Sequence, residues 1–392
     1  MSSLLLHSEI CTSNHFSDFD AVQANQHQST FLTKRYGSQY AAAFQQILDQ
    51  YEQLAWTRKP EFMGFEREWD DKEHTGLHDS YFQFSQDMSA APDGRSAQQR
   101  LADYAQIAQL SDSIYAQLPA TLKDAYFEML GFSVQGACQM NRKFLMAQLN
   151  HEMTKAKKYA EANWAARQVD LAYQQIDSLC THFNTLQHGK WNHFMSIPQG
   201  YCALYYKKPD VTVTPEWGSA PMDLSPASAS AAHQLDLTHY TAKIEKDGHH
   251  LTVIHGMGYD WNVISLGNPT EPVSDATNPE GSRFEYQFIC DAQPGQSQQS
   301  LMHDSIDVTI YTVPFWPTYQ GCGTTIGVCI DKAPVQVIDN PFKEYSKTWK
   351  DQVLQNGAMK KLRFPIDRMQ RNHTISFITG SPGMMIQRVV WS

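Results

Sequence analysis

The chain has 392 residues, of which 42% are hydrophobic and 18% charged, a composition typical of a globular protein of two or three domains and not of a disordered chain. Its formal net charge is −10 and Lys and Arg form no block, so nucleic acid, which requires a basic surface, is not expected as a partner. The N-terminal MSSLLLHSEIC lacks the apolar core of a signal peptide, and no apolar run is long enough to cross a membrane. We therefore expect no membrane partner, and the sequence assigns no location.

The first half of the sequence has the spacing of helices. In SQYAAAFQQILDQYEQLAW the apolar residues recur three and four positions apart, which predicts a helix that begins near Gly37 and Ser38. Residues 61–96 contain several Pro and Gly and predict a long loop. Similar spacing predicts three more helices, over 101–118, 122–144 and 164–186. Four helices with short connections predict an α-helical bundle domain over 31–206, after an undefined N-terminal segment, 1–30.

The composition changes after the last predicted helix. TPEWGSAPMDLSPASASAA is rich in Pro, Ser and Ala and predicts a linker over 207–236. Beyond it apolar residues alternate, as in RFEYQFIC, SIDVTIYTV, TTIGVCID and HTISFITG, which predicts an antiparallel β-sandwich over 237–392. PFKEYSKTWKDQVLQNG is the exception and predicts one surface helix. The predicted fold class is therefore α+β in separate domains, a helical bundle followed by a sandwich.

The segment GKWNHFM, residues 189–195, combines several polar functions where the last helical pattern ends. In a substrate-binding interpretation Lys190 meets a carboxylate, Trp191 stacks on a sugar ring, and the other two polar residues bind hydroxyl groups. In a structural interpretation Lys190 caps the helix and the aromatic rings are half-buried. The candidate substrate-binding residues of this segment are Lys190, Trp191, Asn192 and His193.

Two aromatic residues in GYDWNVI give a second candidate surface. If the segment is a strand, Tyr259 and Trp261 lie on the same side of it, where they form either a platform for a sugar ring or a wedge in the core. Trp316 is a further candidate for sugar stacking in the same half of the chain. The spacing leaves these alternatives open.

Other reactive clusters favour structural roles. The acidic run EREWDD, residues 66–71, has the carboxylates that a glycosidase needs, but adjacent acidic residues in a loop are mostly solvated. His249 and His250 are adjacent and would point to opposite faces of a strand, which argues against a metal site that also includes His255. The seven cysteines lack metal or redox spacing and predict buried thiols. We expect neither a metal nor a cofactor.

The order of these segments resembles glycoside hydrolase family 115, whose members remove glucuronic acid or 4-O-methyl-glucuronic acid from xylan. The resemblance begins with RYGSQYAAAFQQILDQYEQLAWTRKPEFM, continues through the helical region to GKWNHFM, and covers the chain from about Phe31 onward. In the second half YDWNVISLG, VTIYTVPFWPTY, IGVCIDKAPVQVI and GMMIQRVVW resemble the C-terminal domain of the family. The family motif after the bundle matches here at Lys190 to His193, Met195, Gly200 and Tyr201, whereas Ser196 to Gln199 depart from it and remove its second histidine.

The resemblance implies an accessory half of such an enzyme, a helical domain plus a sandwich, inactive alone. Family members carry the catalytic carboxylates on a barrel that precedes this region and needs about 250 residues, so no catalytic residue is assigned to this chain. It further implies glucuronoxylan as a partner, Lys190 to His193 near the mouth of the active site, and a homodimer through the helical domain. The alternatives are a stand-alone xylan-binding module and a structural remnant without a ligand.

Overall fold

A computed structural model describes residues 21–63, 82, 84, 93–196, 207–226, 233–290, 304–341 and 343–392. The chain divides into two compact units, Met1–Ala229 and Ser230–Ser392. The first unit is helical and the second consists mainly of β-strands. The predicted fold class, a helical domain followed by an antiparallel β-sandwich, is therefore confirmed. The acidic run at 66–71 lies outside the described residues, as do Gly200 and Tyr201.

The described part of the first unit contains six α-helices where four were predicted. They are α1 (Ala21–Tyr36), α2 (Ala41–Thr57), α3 (Ala97–Gln117), α4 (Ala120–Tyr126), α5 (Phe132–Lys155) and α6 (Tyr159–Gly189). A π-helical segment, Phe127–Gly131, joins α4 to α5. The helix predicted over 122–144 is thus a helical run that contains a widened turn, a feature often found at functional sites. Helix α1 escaped prediction because its sequence is mostly polar.

The helical core contains the apolar stripe that predicted α2. Phe44 and Ile47 are fully buried, and the Phe44 ring lies 6.3 Å from that of Tyr126 in α4. Arg100 in α3 is also fully buried, and its guanidinium donates to Leu54 O at 2.9 Å and to Arg58 O at 2.7 Å. Because the last carbonyl groups of a helix have no partner within it, Arg100 satisfies the C-terminal end of α2 from a neighbouring helix.

Two asparagines attach residues 207–226 to the helices. The Asn150 side chain in α5 donates to Thr212 O at 2.8 Å and accepts from Thr212 N at 2.8 Å. Asn163 in α6 makes the same pair of bonds to Thr214, at 2.7 and 2.8 Å. Each side-chain amide thus bonds both the N–H and the C=O of one backbone residue, as a neighbouring strand would. Residues 207–226, which the sequence predicts as part of a linker, are therefore hydrogen-bonded to the helical unit.

The second unit consists of two antiparallel sheets. Its strands are β1 (His233–Gln234), β2 (Ala242–Ile244), β3 (Leu251–His255), β4 (Asn262–Leu266), β5 (Arg283–Ile289), β6 (Asp304–Thr312), β7 (Thr325–Ile330), β8 (Gln336–Asp339), β9 (Ala358–Ile366), β10 (Asn372–Thr379) and β11 (Met385–Trp391). One sheet has the order β3-β4-β11-β6-β9, with β1 also paired to β11, and the other has the order β2-β5-β10-β7-β8. Residues from both sheets form one buried cluster, so the sheets pack face to face.

The predicted alternation holds in β5 and β6 but not in β7. Phe284 and Tyr286 of β5 and Val308 of β6 are buried in the shared core. In β7, by contrast, the five residues from 326 to 330 are all buried. A Cβ atom on Gly327 would lie 2.0 Å from Ala276 O, so the chain around Ala276 covers the outer face of this strand. The loop around Ala276 thus buries the face of β7 that would be exposed to solvent in a strand with alternating burial.

The predicted surface helix is α7 (Lys347–Gln355), which lies between β8 and β9. Ser346 caps its N-terminus by accepting from Trp349 N at 3.2 Å. Tyr345 precedes the helix and is 82% exposed, and the buried residue of the helix is Leu354.

Candidate functional site

The segment that contains GKWNHFM begins with a break in α6. The backbone of Leu186 has ψ 144°, and Gln187 and His188 have positive φ values of 51° and 59°, so helical geometry ends after Thr185. Asp124 at the end of α4 holds this break, since its Oδ2 accepts from Gln187 N at 3.0 Å and from Gln187 Nε2 at 2.9 Å. The segment is therefore a separate turn that follows the regular helix, and not the last helical turn.

Asn184 closes this turn from the last regular part of α6. Its Oδ1 accepts from Met195 N at 2.8 Å, and its Nδ2 donates to Met195 O at 3.3 Å. Inside the turn, Asn192 N donates to Gly189 O at 3.0 Å and Phe194 N donates to Trp191 O at 2.9 Å. Because side-chain and backbone bonds both hold it, the turn has a defined shape. Sequence reasoning missed Asn184, whose only signal is an asparagine near a helix end.

The four predicted residues of this turn differ in exposure. Trp191 is half-buried and packs on the cluster of Phe127, Phe183 and Leu186. The Lys190 Nζ atom lies 4.7 Å from the centre of the Trp191 ring, which is a cation–π contact. Asn192 and His193 are exposed. The turn thus places an ammonium group, an amide and an imidazole on the surface above an aromatic base.

A neighbouring aromatic residue extends this surface. Phe194 is 62% exposed, and its ring stacks on that of Phe183 at 5.9 Å with an interplanar angle of 17°. Within the described residues the Trp191 Nε1 atom is buried and lacks an acceptor. This arrangement, named the helix-end surface (residues 190–194), combines a positive charge with ring faces, which suits an acidic sugar.

Tyr259 and Trp261 do not share a strand face. Both lie in the turn before β4, where Gly256 N donates to Trp261 O at 2.9 Å and Trp261 has φ 64°. Tyr259 is 1% exposed, and its hydroxyl donates to Gln355 O at 2.8 Å. The prediction that Tyr259 stacks on a sugar is therefore wrong, because its ring is a wedge in the core. Trp261 is half-buried and keeps some exposed ring.

The sandwich has a groove of about 430 Å³ beside Trp316, which we call the Trp316 groove. It is lined by Trp316, Pro317, Cys322, Gly323, Thr324, Thr325, Asp339 and Pro341. Trp316 is 58% exposed, and the Asp339 Oδ1 atom accepts from the Thr324 hydroxyl at 2.6 Å. An exposed indole beside hydroxyl and carboxyl groups offers both the stacking and the hydrogen bonds that a sugar uses.

Two hydrogen bonds anchor the loop that carries Trp316. The Thr318 hydroxyl donates to Pro269 O at 2.6 Å, and the Tyr319 hydroxyl donates to Glu271 O at 2.6 Å. These bonds fix the loop to the segment that follows β4. The sequence identified Trp316, but nothing in it indicated that Thr324 and Asp339 lie beside the indole.

The three histidines that the sequence singled out are structural. His249 and His250 precede β3, and their Nδ1 atoms lie 3.3 and 2.8 Å from the two carboxylate oxygens of Glu271. The His249 side chain is buried and that of His250 is exposed. The His255 Nδ1 atom instead lies 2.6 Å from Asn262 Oδ1. Burial raises the pKa of Glu271, but hydrogen bonds from His250 and Asn268 outweigh it and hold the pKa below its usual value. Among the described residues, no group of three or more His, Cys, Asp or Glu could hold a metal ion.

The second unit is similar to a domain of known proteins. Residues 234–392 match the family model described as the glycosyl hydrolase family 115 C-terminal domain, so this part of the chain is a domain of a carbohydrate-acting family. Over these residues the resemblance to glycoside hydrolase family 115 found in the sequence is therefore confirmed. None of the curated proteins compared with the chain matches it significantly.

Solved structures agree with the fold. A family 115 4-O-methyl-alpha-glucuronidase with specificity for decorated arabinogalactans aligns at TM-score 0.70 and 23% identity, over 94% of this chain and 41% of that enzyme. The chain therefore spans less than half the length of this relative. A family 35 carbohydrate binding module from Clostridium thermocellum aligns at TM-score 0.25 and 7% identity, over 39% of this chain and 98% of the module, which is too low to establish a shared fold. Among the helices that the structure describes, none has the length and apolar character that a membrane crossing requires.

Proposed function

We propose that this chain is the accessory half of a family 115 glycosidase that removes glucuronic or 4-O-methyl-glucuronic acid from xylan. The match of residues 234–392 to the C-terminal domain of the family carries this proposal. Such a hydrolysis uses one carboxyl group as acid and a second carboxylate as base or nucleophile. The resemblance assigns both groups to the barrel of a complete enzyme, so we expect the chain by itself to be inactive.

The release of uronic acid tests this expectation directly. The purified 392-residue chain, incubated with glucuronoxylan, should release no glucuronic acid above the blank without protein. A decorated arabinogalactan serves as a second substrate, because a solved relative is specific for that polymer. Clear release from either polysaccharide by the chain alone would refute the assignment of catalysis to a separate barrel.

In the proposed function the Trp316 groove binds the polysaccharide. Removing the indole in Trp316→Ala should weaken binding by about 2 kcal/mol, as for a tryptophan at the centre of a binding site, which corresponds to a ~30-fold higher Kd. Affinity gel electrophoresis in glucuronoxylan and in plain xylan measures this as lost retardation. Trp217→Ala is the matched control, since Trp217 in the helical unit is exposed by the same 58%.

The remaining candidate in the sandwich, Trp261, is tested in the same gels. Retardation that is lost in Trp261→Ala and kept in Trp316→Ala would move the binding site to the turn before β4. Retardation lost only in Trp316→Ala supports the groove. Retardation of the chain by itself also favours the alternative of a stand-alone carbohydrate-binding module, and its absence on both polymers favours a structural remnant.

The helix-end surface supplies the contact to the acidic sugar in this proposal. The exposed Lys190 ammonium group pairs with the uronate carboxylate, while Asn192 and His193 bind hydroxyl groups and Trp191 supports them. Lys190→Gln should therefore reduce the excess retardation on glucuronoxylan over plain xylan. Lys155→Gln, an equal change of charge at an exposed residue of the same unit, should not. Equal effects of both variants would contradict a specific contact.

We also propose that the helical unit forms a homodimer. The exposed apolar side chain of Leu171, at 47% exposure, supports an interface on α6. Sedimentation velocity of the wild-type chain and of Leu171→Glu tests this. A dimer that is lost in the variant supports the interface, and a monomer at all concentrations refutes it.

A further inference from the structure

The helical unit has a second small cleft beside the π-helical segment Phe127–Gly131. Its volume is about 190 Å³, and its walls come from α3, the end of α4 with the π-helical segment, α5 and α6. Its lining includes Asp112, Tyr115, Phe127, Gln139, Gln175 and His182. We call it the π-segment cleft. Since π-helical turns are costly and are often retained at functional sites, this position calls for an explanation.

One wall of the π-segment cleft is polar and fixed. The Gln135 Nε2 atom donates to Asp112 Oδ1 at 2.8 Å and to Ala108 O at 2.9 Å, which uses both of its hydrogens. Burial raises the pKa of the Asp112 carboxyl, and its hydrogen-bond partner is the uncharged amide of Gln135. The cleft therefore presents a carboxyl group that a neutral amide holds in place.

Gln139, one turn further along α5, has an unmet hydrogen bond. Among the described residues no group donates to its Oε1 atom, although that atom is buried. A buried acceptor without a donor destabilises the folded state, so such atoms call for a bound donor or a functional role. Because Gln139 lines the π-segment cleft, a ligand with hydroxyl groups can supply the missing donor.

Another part of the lining consists of aromatic rings. The rings of Phe127 and His182 lie 4.4 Å apart in an edge-to-face arrangement, and Tyr115 lies 6.2 Å from Phe127. The Tyr115 hydroxyl is 3.5 Å from His182 Nε2, so the polar tips of both side chains lie close together. Aromatic faces together with a small set of oriented polar groups are typical of a site for a small polar ligand.

From these contacts we propose that the π-segment cleft binds one neutral sugar unit. The volume of about 190 Å³ suits a ligand of the size of a single pyranose ring. Hydroxyl groups donate to Gln139 and Asp112, and a ring face lies on the aromatic wall. The Asp112 carboxylate disfavours an anionic uronate. The choice of a sugar rests on the proposed function, whereas the unmet acceptor does not.

Saturation-transfer NMR with free monosaccharides tests the site. We expect transfer from the 392-residue chain to at least one of D-xylose, L-arabinose and D-galactose, and weaker transfer to glucuronic acid. Gln139→Leu should abolish transfer without lowering the unfolding temperature, because it removes an acceptor that has no donor. Gln175 supplies a second side-chain amide in the lining, and Gln175→Ala should raise the Kd about fivefold if this amide also binds a hydroxyl group. Gln174→Ala, an exposed neighbour outside the cleft, should have no effect.

Trp316→Ala separates this inference from the proposed function. Transfer that survives in Trp316→Ala and is lost in Gln139→Leu supports the π-segment cleft even if the Trp316 groove binds no polysaccharide. Transfer that is lost in Trp316→Ala and kept in Gln139→Leu overturns the inference. It is also overturned if no neutral sugar receives saturation, or if glucuronic acid binds as well as the neutral sugars.

Discussion

Replacing Asn184 by Ala tests whether one side chain holds the turn that carries the helix-end surface. The amide makes two bonds to Met195, accepting at 2.8 Å and donating at 3.3 Å. A hydrogen bond contributes about 0.5–1.5 kcal/mol net, so losing both should lower the free energy of local opening by about 2 kcal/mol. That value corresponds to a ~30-fold larger open population. The break at Gln187 is held separately by Asp124, so the rest of α6 should keep its protection.

Hydrogen–deuterium exchange measures this opening without requiring two-state unfolding of a two-domain chain. Peptides that cover residues 186–195 should exchange faster in Asn184→Ala, while peptides from the body of α6 should not change. Asn192→Ala is the control, because Asn192 is an exposed asparagine of the same turn. Exchange at the wild-type rate in Asn184→Ala, or equal acceleration in both variants, would show that the turn is held by other contacts.

Two further predictions concern the sandwich. Tyr259→Phe removes the hydrogen bond to Gln355 O at 2.8 Å and should lower the free energy of unfolding, measured by thermal unfolding, by about 1 kcal/mol. Retardation on glucuronoxylan should not change. Weaker binding without a loss of stability would indicate that Tyr259 contacts the sugar. Hydrogen bonds from His250 and Asn268 outweigh burial and lower the pKa of Glu271 in the folded state. The stability that the Glu271 carboxylate contributes is therefore complete above the unfolded-state pKa of about 4.3, and it is lost as the pH falls through the lower folded-state pKa. Glu271→Gln should therefore reduce the unfolding temperature at neutral pH and converge with the wild type in acid, and a difference independent of pH would contradict this reasoning.

Much of the fold followed from local periodicity. The spacing of Phe44, Ile47 and Leu54 predicted α2, because a helical stripe depends only on residues within a few turns. The alternation of Phe284 and Tyr286 predicted β5 for the same reason. The pattern failed where a distant segment changed the burial, as at β7, which the chain around Ala276 covers. The π-helical segment could not be predicted, since widening one turn leaves the apolar spacing nearly unchanged.

For the candidate sites the sequence determined which chemical groups the chain carries, and the tertiary structure decided which of them meet solvent and each other. Lys190 to His193 and Trp316 were identified from their residue types and, for the former, from the family motif. Tyr259 is buried in the core, where its hydroxyl donates to the carbonyl of Gln355, a residue 96 positions away in the chain. The π-segment cleft likewise brings Asp112, Gln139 and His182 together from three helices. Such contacts join residues far apart in sequence, so no local pattern records them, and only the packing of whole elements brings them into place.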